Sequence, residues 1–139
     1  MSRLTTDDEI RALLDTAKHI AVVGYSDDES KPSNEVAHEL RRLGYQVTGV
    51  SPTAKGTETL KVYPTLADVP TPIDVVDIFR RADAMLGVVQ EAIAVKAKTV
   101  WMQLGLVNEE AAQAADAAGL GVVMDRCMKM EHHRLYPEE

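Results

Sequence analysis

The stretch His19-Ile-Ala-Val-Val-Gly24, with the helix that follows it, constrains the fold more than any other part of the chain. Ile20 to Val23 is apolar and mostly β-branched, with no polar alternation, which is the pattern of a strand covered on both faces. Such a strand needs helices on both sides of its sheet. The run stops at Gly24, a polar loop follows, and Ser33 is placed to cap a helix that carries Val36, Ala37, Leu40 and Leu43 on one face. A strand, a glycine turn and a helix N-terminus together make an anion site, because the unpaired N–H groups of the first helical turn and its positive dipole end face the ligand.

The rest of the chain repeats this alternation. Thr6 and Glu9 form a capping box before a helix with Ile10, Leu13, Leu14 and Ala17 on one face, so residues 1–18 read as an N-terminal helical segment. Gly44 ends the second helix, and Tyr45 to Val50 is a second strand closed by Ser51 and Pro52. Leu60 to Tyr63 adds a little extended structure. Asp74 to Phe79 is a third strand, with Arg80 and Arg81 at its end. Asp83 is placed to cap a helix that turns Leu86, Val89 and Ile93 to the sheet. Lys98 to Gln103 is a fourth strand. Asn108 caps a helix with Glu109 and Glu110 in its first turn and a face of alanines, ended by Gly119. Gly121 to Met124 is a fifth strand, and residues 128–139 read as a tail with a short helical turn that then frays. The expected architecture is one doubly wound α/β domain over residues 1–139, with a sheet of about five mainly parallel strands.

Charge and cysteine usage narrow the function. A net charge of −7 argues against a general nucleic-acid binder. No apolar run approaches the ~18 residues of a membrane span, and the acidic start lacks the apolar core of a signal peptide. Cys127 is the only cysteine, so no internal disulfide forms, and a cytoplasmic location is expected.

In such sheets ligands bind beyond the carboxyl ends of the strands. The crevice is expected mostly between the first strand and the fourth, at Lys98 to Gln103. The dinucleotide fingerprint G-x-G-x-x-G is absent, and Asp27, Asp28 and Glu29 stand in its place. Ser26, Lys31, Ser33 and the helix amides are still able to hold a phosphate. An NAD site usually carries an acid after its second strand, whereas Val50 to Lys55 carries none. Ser51 and Lys55 fit a phosphorylated ribose better, as in NADP or coenzyme A. One of Arg80 and Arg81 suits an anionic ligand, and the other suits Asp77 or Asp83. Cys127, His132 and His133 make neither a zinc set nor a supported nucleophile, so Cys127 reads as a small half-buried apolar residue. Trp101 is a core residue; Met124, Met128 and Met130 are apolar filler or the lining of an adaptable pocket.

Taken together, Ile-Ala-Val-Val-Gly24, Val-Asp-Ile-Phe-Arg-Arg81, Val-Trp-Met-Gln-Leu-Gly105, Asn-Glu-Glu-Ala-Ala112 and Val-Val-Met-Asp-Arg-Cys127 resemble the small stand-alone coenzyme A-binding proteins. These are similar to the CoA-binding domain of the succinyl-CoA synthetase α subunit. The resemblance covers residues 7 to 135 and implies a three-layer Rossmann-like fold that binds CoA or acyl-CoA. It implies that Gly24, Tyr25, Ser26, Lys31, Pro32 and Ser33 cradle the pyrophosphate. Ser51, Pro52 and Lys55 would lie by the ribose phosphate and adenine, and Phe79 and Arg80 would border the nucleotide. Gln103, Gly105 and Arg126 would line the pantetheine side. The synthetase's glycine-rich loop and its phosphorylated-histidine domain have no counterpart here, so ligase activity does not transfer with the ligand. The expected function is non-catalytic CoA binding. The alternatives are an enzyme or subunit acting on a CoA thioester, with Asp125, Arg126 and Cys127 as its reactive corner, and an NADP-binding module. A fourth is a domain that keeps the fold without its ligand. A protein partner or a homo-oligomer stays open.

Overall fold

The computed structural model describes residues 3–137. Five helices, α1 (Asp7–Thr16), α2 (Pro32–Arg42), α3 (Met85–Ala94), α4 (Glu109–Ala117) and α5 (Met128–Leu135), surround a six-stranded sheet. The strands are β1 (His19–Val23), β2 (Gln46–Val50), β3 (Val62–Tyr63), β4 (Val75–Ile78), β5 (Thr99–Met102) and β6 (Gly121–Val123). They lie in the order β3-β2-β1-β4-β5-β6, and every pairing is parallel. This is the three-layer Rossmann-like architecture.

The β1 pleat shows why helices are needed on both faces. Ile20 and Val22 pack with Ile10 and Leu14 of α1, Val36 and Leu40 of α2, and Met128 of α5. Ala21 and Val23 pack on the opposite face with Met85 and Val89 of α3 and Ala111 and Ala115 of α4. Trp101 of β5 is fully buried and its indole donates to the Arg126 carbonyl at 2.7 Å. The Thr6–Glu9 capping box and the Asn108 cap are both present.

Several local expectations are corrected. Lys31, not Ser33, occupies the N-cap of α2, because Pro32 takes the first helical position, where its missing N–H costs nothing. Asp83 does not cap α3. A 3-10 turn at Ala82–Ala84 intervenes, and the Asp83 carboxylate pairs with Arg81 at 2.9 Å. The buried face of α3 is Met85, Val88, Val89 and Ala92, with Leu86 and Ile93 only partly covered. In the C-terminal tail the expected short helical turn is the eight-residue helix α5, docked on α1 and α2, while the end of the segment expected to fray, residues 138–139, lies outside the described residues. The neighbour of β1 at the reversal of winding is β4, not the strand at Thr99–Met102. From β1 the chain runs outward to β2 and β3, then returns across the sheet to the vacant side of β1.

Candidate functional site

At the reversal point, β1 and β4 end side by side and their chains part to opposite faces, one to α2 and the other to α3. The Phe79 amide donates to the Val23 carbonyl at 2.8 Å, so the two ends are bonded where they separate. Gly24 has φ +87°, and a Cβ there would stand 2.4 Å from the Phe79 carbonyl oxygen. The glycine is therefore required by the approach of the two strand ends, before any ligand is considered.

Beyond this junction lies a cleft of about 760 Å³. One wall is the first loop and the start of α2: Gly24, Ser26, Lys31, Pro32 and Ser33. The other carries Phe79, Arg80 and Arg81. Among the described residues, the amides of Tyr25, Ser26 and Ser33 have no acceptor, and neither Lys31 nor Arg80 forms an ion pair. Pro32 has no N–H, and the Asn34 and Glu35 amides turn back to the Lys31 carbonyl, so Ser33 is the open donor of the helix end. The far end of the cleft is apolar, with Leu104 and Leu106 after β5, and Cys127 and Met130 at the start of α5. Leu104 and Met130 are more than half exposed, at 57% and 54%. Gln103 reaches the same region, where its side-chain oxygen accepts from the Met128 amide at 3.3 Å and ties β5 to α5. A larger groove of about 1000 Å³ runs over α2 and α5. Its walls are bridged by the Lys129–Glu35 contact and the His133–Glu39 hydrogen bond.

Of the residues that the resemblance places around CoA, the cleft gathers Gly24, Ser26, Lys31, Pro32, Ser33, Phe79, Arg80 and Gln103. The others lie elsewhere. Tyr25 is buried under α2, its hydroxyl 3.0 Å from His38 Nε2, with Asn34 donating to it. The Ser51 hydroxyl accepts from the amides of Thr53 and Ala54, and Pro52 is exposed outside the cleft. Lys55 lines a separate recess of about 560 Å³ with Asp27 and Gly56. The Gly105 amide donates to Asp125 at 2.7 Å. The Arg126 guanidinium turns to Glu131 and to the Thr5 carbonyl, at 2.8 and 2.9 Å, away from the cleft.

Asp77 pairs with neither arginine. It points into the core between Val22 and Trp101, fully buried, with both oxygens unpartnered, and burial pushes its carboxyl well above the usual range. His132 meets Tyr45 edge-on and Tyr136 at a tilt, whereas His133 meets Glu39, so the two histidines diverge. The sequence reading leaves out Leu106 at the apolar end; Met130, read as apolar filler or the lining of an adaptable pocket, does line the cleft. A large apolar side chain just after a strand end was the available signal.

The CoA-binding domain profile matches residues 18–133. The chain is 39% identical over 124 residues to the uncharacterized protein YneT of Bacillus subtilis (strain 168), covering 89% of this chain and 92% of that protein. A hypothetical protein from Pyrococcus horikoshii OT3 superposes with a TM-score of 0.90 at 40% identity, covering 94% of this chain and 92% of that one. The apo form of dinucleotide-forming acetyl-coenzyme A synthetase 1 from Ca. Korarchaeum cryptofilum matches with a TM-score of 0.67 at 32% identity. That match covers 76% of this chain but 25% of the synthetase chain. With a doubly wound sheet, an open cleft at its switch point and a profile match over most of its length, the chain belongs to the CoA-binding domain family.

Proposed function

We propose that the cleft binds coenzyme A or acyl-CoA as a non-catalytic module in the cytoplasm. The observation that carries this reading is the gradient of polarity along one cleft. Open amides, Lys31 and Arg80 stand at one end, and Leu104, Leu106 and Met130 at the other. CoA has the same gradient, from a polyanionic nucleotide to a long arm that ends in a thiol or acyl group. The pyrophosphate lies against Ser26, Lys31 and the Ser33 amide, where the α2 dipole favours an anion. Arg80 closes over it from β4, and Phe79 borders the nucleotide. The arm runs past Gln103 towards α5.

Cys127 favours a second reading. It lies on the cleft wall at 8% exposure, where a thioester would end, and this fits an enzyme or subunit acting on a CoA thioester. Calorimetric titration with CoA, acetyl-CoA and NADP tests both readings. The binding reading expects CoA to bind in the micromolar range, NADP to bind more weakly and acetyl-CoA to be recovered intact. Hydrolysis or transfer of the acetyl group that stops in Cys127→Ser would replace it with the enzyme reading. Tighter binding of NADP than CoA would overturn both.

A further inference from the structure

We propose that Tyr25, Asn34 and His38 are positioning residues for the anion-binding loop after β1, and that His38 makes this loop sensitive to protons. None of the three lines the cleft. They lie behind the loop, towards the groove over α2 and α5 and the recess beside Lys55. The Asn34 carboxamide donates to the Ser26 carbonyl at 2.9 Å and to the Tyr25 hydroxyl at 3.3 Å. It draws that carbonyl away from the cleft, where its oxygen would oppose an anion, and leaves the open Ser26 amide for a ligand. Tyr25 is buried with its ring on Gly49 of β2, where a Cβ would stand 2.9 Å from the ring Cγ. Its hydroxyl lies 3.0 Å from His38 Nε2.

The partners fix the direction of these bonds. The Asn34 nitrogen only donates, so the Tyr25 hydroxyl accepts from it and sends its own proton to His38 Nε2, which is then the bare nitrogen of a neutral ring. Burial, with Asp27 nearby, pushes the Tyr25 hydroxyl above its ordinary value, so it keeps that proton. Among the described residues the His38 ring bonds only Tyr25, and it is half-buried between the groove and the recess, open to a proton from solvent. The first loop faces it with Asp27 and Glu29, and the loop after β2 with Lys55. The Asp27 carboxylate accepts from the Lys55 and Gly56 amides at 2.7 and 2.9 Å. Glu35, Glu39 and Arg42 face the groove from α2, and Lys129, His133 and Arg134 from α5. Lys129 meets Glu35, Arg42 and His133 meet Glu39, and Arg134 meets Asp7 and Glu131. Histidine takes up its proton between about pH 5 and 8. A protonated Nε2 faces the hydroxyl as a second donor, and the buried Tyr25 proton loses its acceptor. The Asn34 oxygen accepts it only if the carboxamide turns over, and the Ser26 carbonyl then meets an oxygen in place of an N–H. The chain of bonds from His38 to Ser26 is broken, and the loop loses the geometry that presents its amide.

The ligand used in the test rests on the coenzyme A reading. CoA is titrated at about pH 7.5 and about pH 5.5 into the wild type, His38→Gln, Tyr25→Phe and the control His133→Gln. The glutamine oxygen accepts the Tyr25 proton at both pH values, and phenylalanine has no proton to place. Each variant is compared with the wild type at the same pH, so any titration of CoA itself cancels. The wild type is expected to lose about fivefold in affinity relative to His38→Gln and Tyr25→Phe on acidification, and His133→Gln to follow the wild type. The same pH dependence in the wild type, His38→Gln and Tyr25→Phe would overturn the proposal. So would tighter relative binding by the wild type in acid, which would make His38 a plain cation, or transfer of the effect to His133. If CoA binds none of these proteins at either pH, the coenzyme A reading fails, and amide NMR without ligand decides the network. Ser26 and Asp27 resonances that follow the His38 ring titration in the wild type but not in Tyr25→Phe support it; resonances that ignore that titration overturn it.

Discussion

Asp74 and Asp27 each hold a pair of successive amides, at opposite ends of the sheet. At the amino ends of the strands, Asp74 accepts from Lys18 and His19 at 2.8 and 2.9 Å and pairs with Lys98. Its neighbour His19 is buried and bonded to Pro72 and Thr48. At the carboxyl ends, Asp27 makes the same kind of contact from an exposed loop, next to donors and cations without partners. The first end is sealed by groups that satisfy each other; the second is left open to a ligand. A third acid, Asp77, lies buried between the two ends, with no protein hydrogen-bond partner among the described residues. The same side chain thus closes one end, stands exposed at the other and burdens the middle, according to what surrounds it.

Asp74→Ala is expected to show the largest effect. It removes two charge-assisted bonds at the sealed end and should lower stability by about 2–3 kcal/mol in urea titration. Burial pushes the Asp74 carboxyl up, but the His19 and Lys18 amides and Lys98 outweigh it and hold the carboxyl below the ordinary range. Its contribution is therefore present above the ordinary aspartate range and lost as the pH falls through the folded value. Acid unfolding should flatten in the variant. An unchanged acid limb would break the contrast with Asp27, whose removal is expected to leave the melting temperature nearly unaltered.

Arg80→Ala comes next, at the open end. CoA affinity should fall about tenfold by calorimetry, with weaker salt dependence, while stability is unaffected. Arg3→Ala is the control outside the cleft, since Arg3 is committed to Glu109 and Asp116. Equal affinities for the two variants would remove Arg80 from the site.

Asp77→Val should stabilise the protein by about 1–3 kcal/mol at neutral pH, because an unsatisfied buried group is replaced by a β-branched one that suits a strand. The raised carboxyl value means that the folded state keeps a proton the unfolded chain releases. Wild-type stability should then fall as the pH rises through that interval, and the gain from valine should widen with pH. A gain independent of pH would contradict this. The smallest effect is expected from Cys127→Ser, which should leave CoA affinity within about twofold if the thiol only borders the arm.

Local patterns made most of the fold legible. The pleat of β1, the Thr6 and Asn108 caps and the glycine stops each depend on residues a few positions apart. What the sequence concealed depended on distant partners or on competition at one turn. Ser33 is a good capping residue, but Pro32 fixes the helix start before it. Asp77 in a strand reads like a partner for Arg81, yet the alternation of the pleat sends it into the core and leaves Arg81 with Asp83. The neighbour of β1 is a matter of strand order, which no periodicity encodes. The acids after Gly24 read as hostile to a phosphate, and only the approach of the second loop gives Asp27 its amides. Arg126 follows a strand end, as a ligand-facing residue would, but Glu131 and Thr5 draw it away.

Amide NMR of the protein titrated with CoA tests the open end against the sealed one most directly. The account predicts that resonances of Ser26, Ser33, Arg80, Leu104 and Leu106 move together and saturably, while those of Lys18, His19 and Asp74 stay still. Shifts confined to His38, Glu39 and Arg42, in the groove over α2 and α5, would contradict it, as would no shift at all.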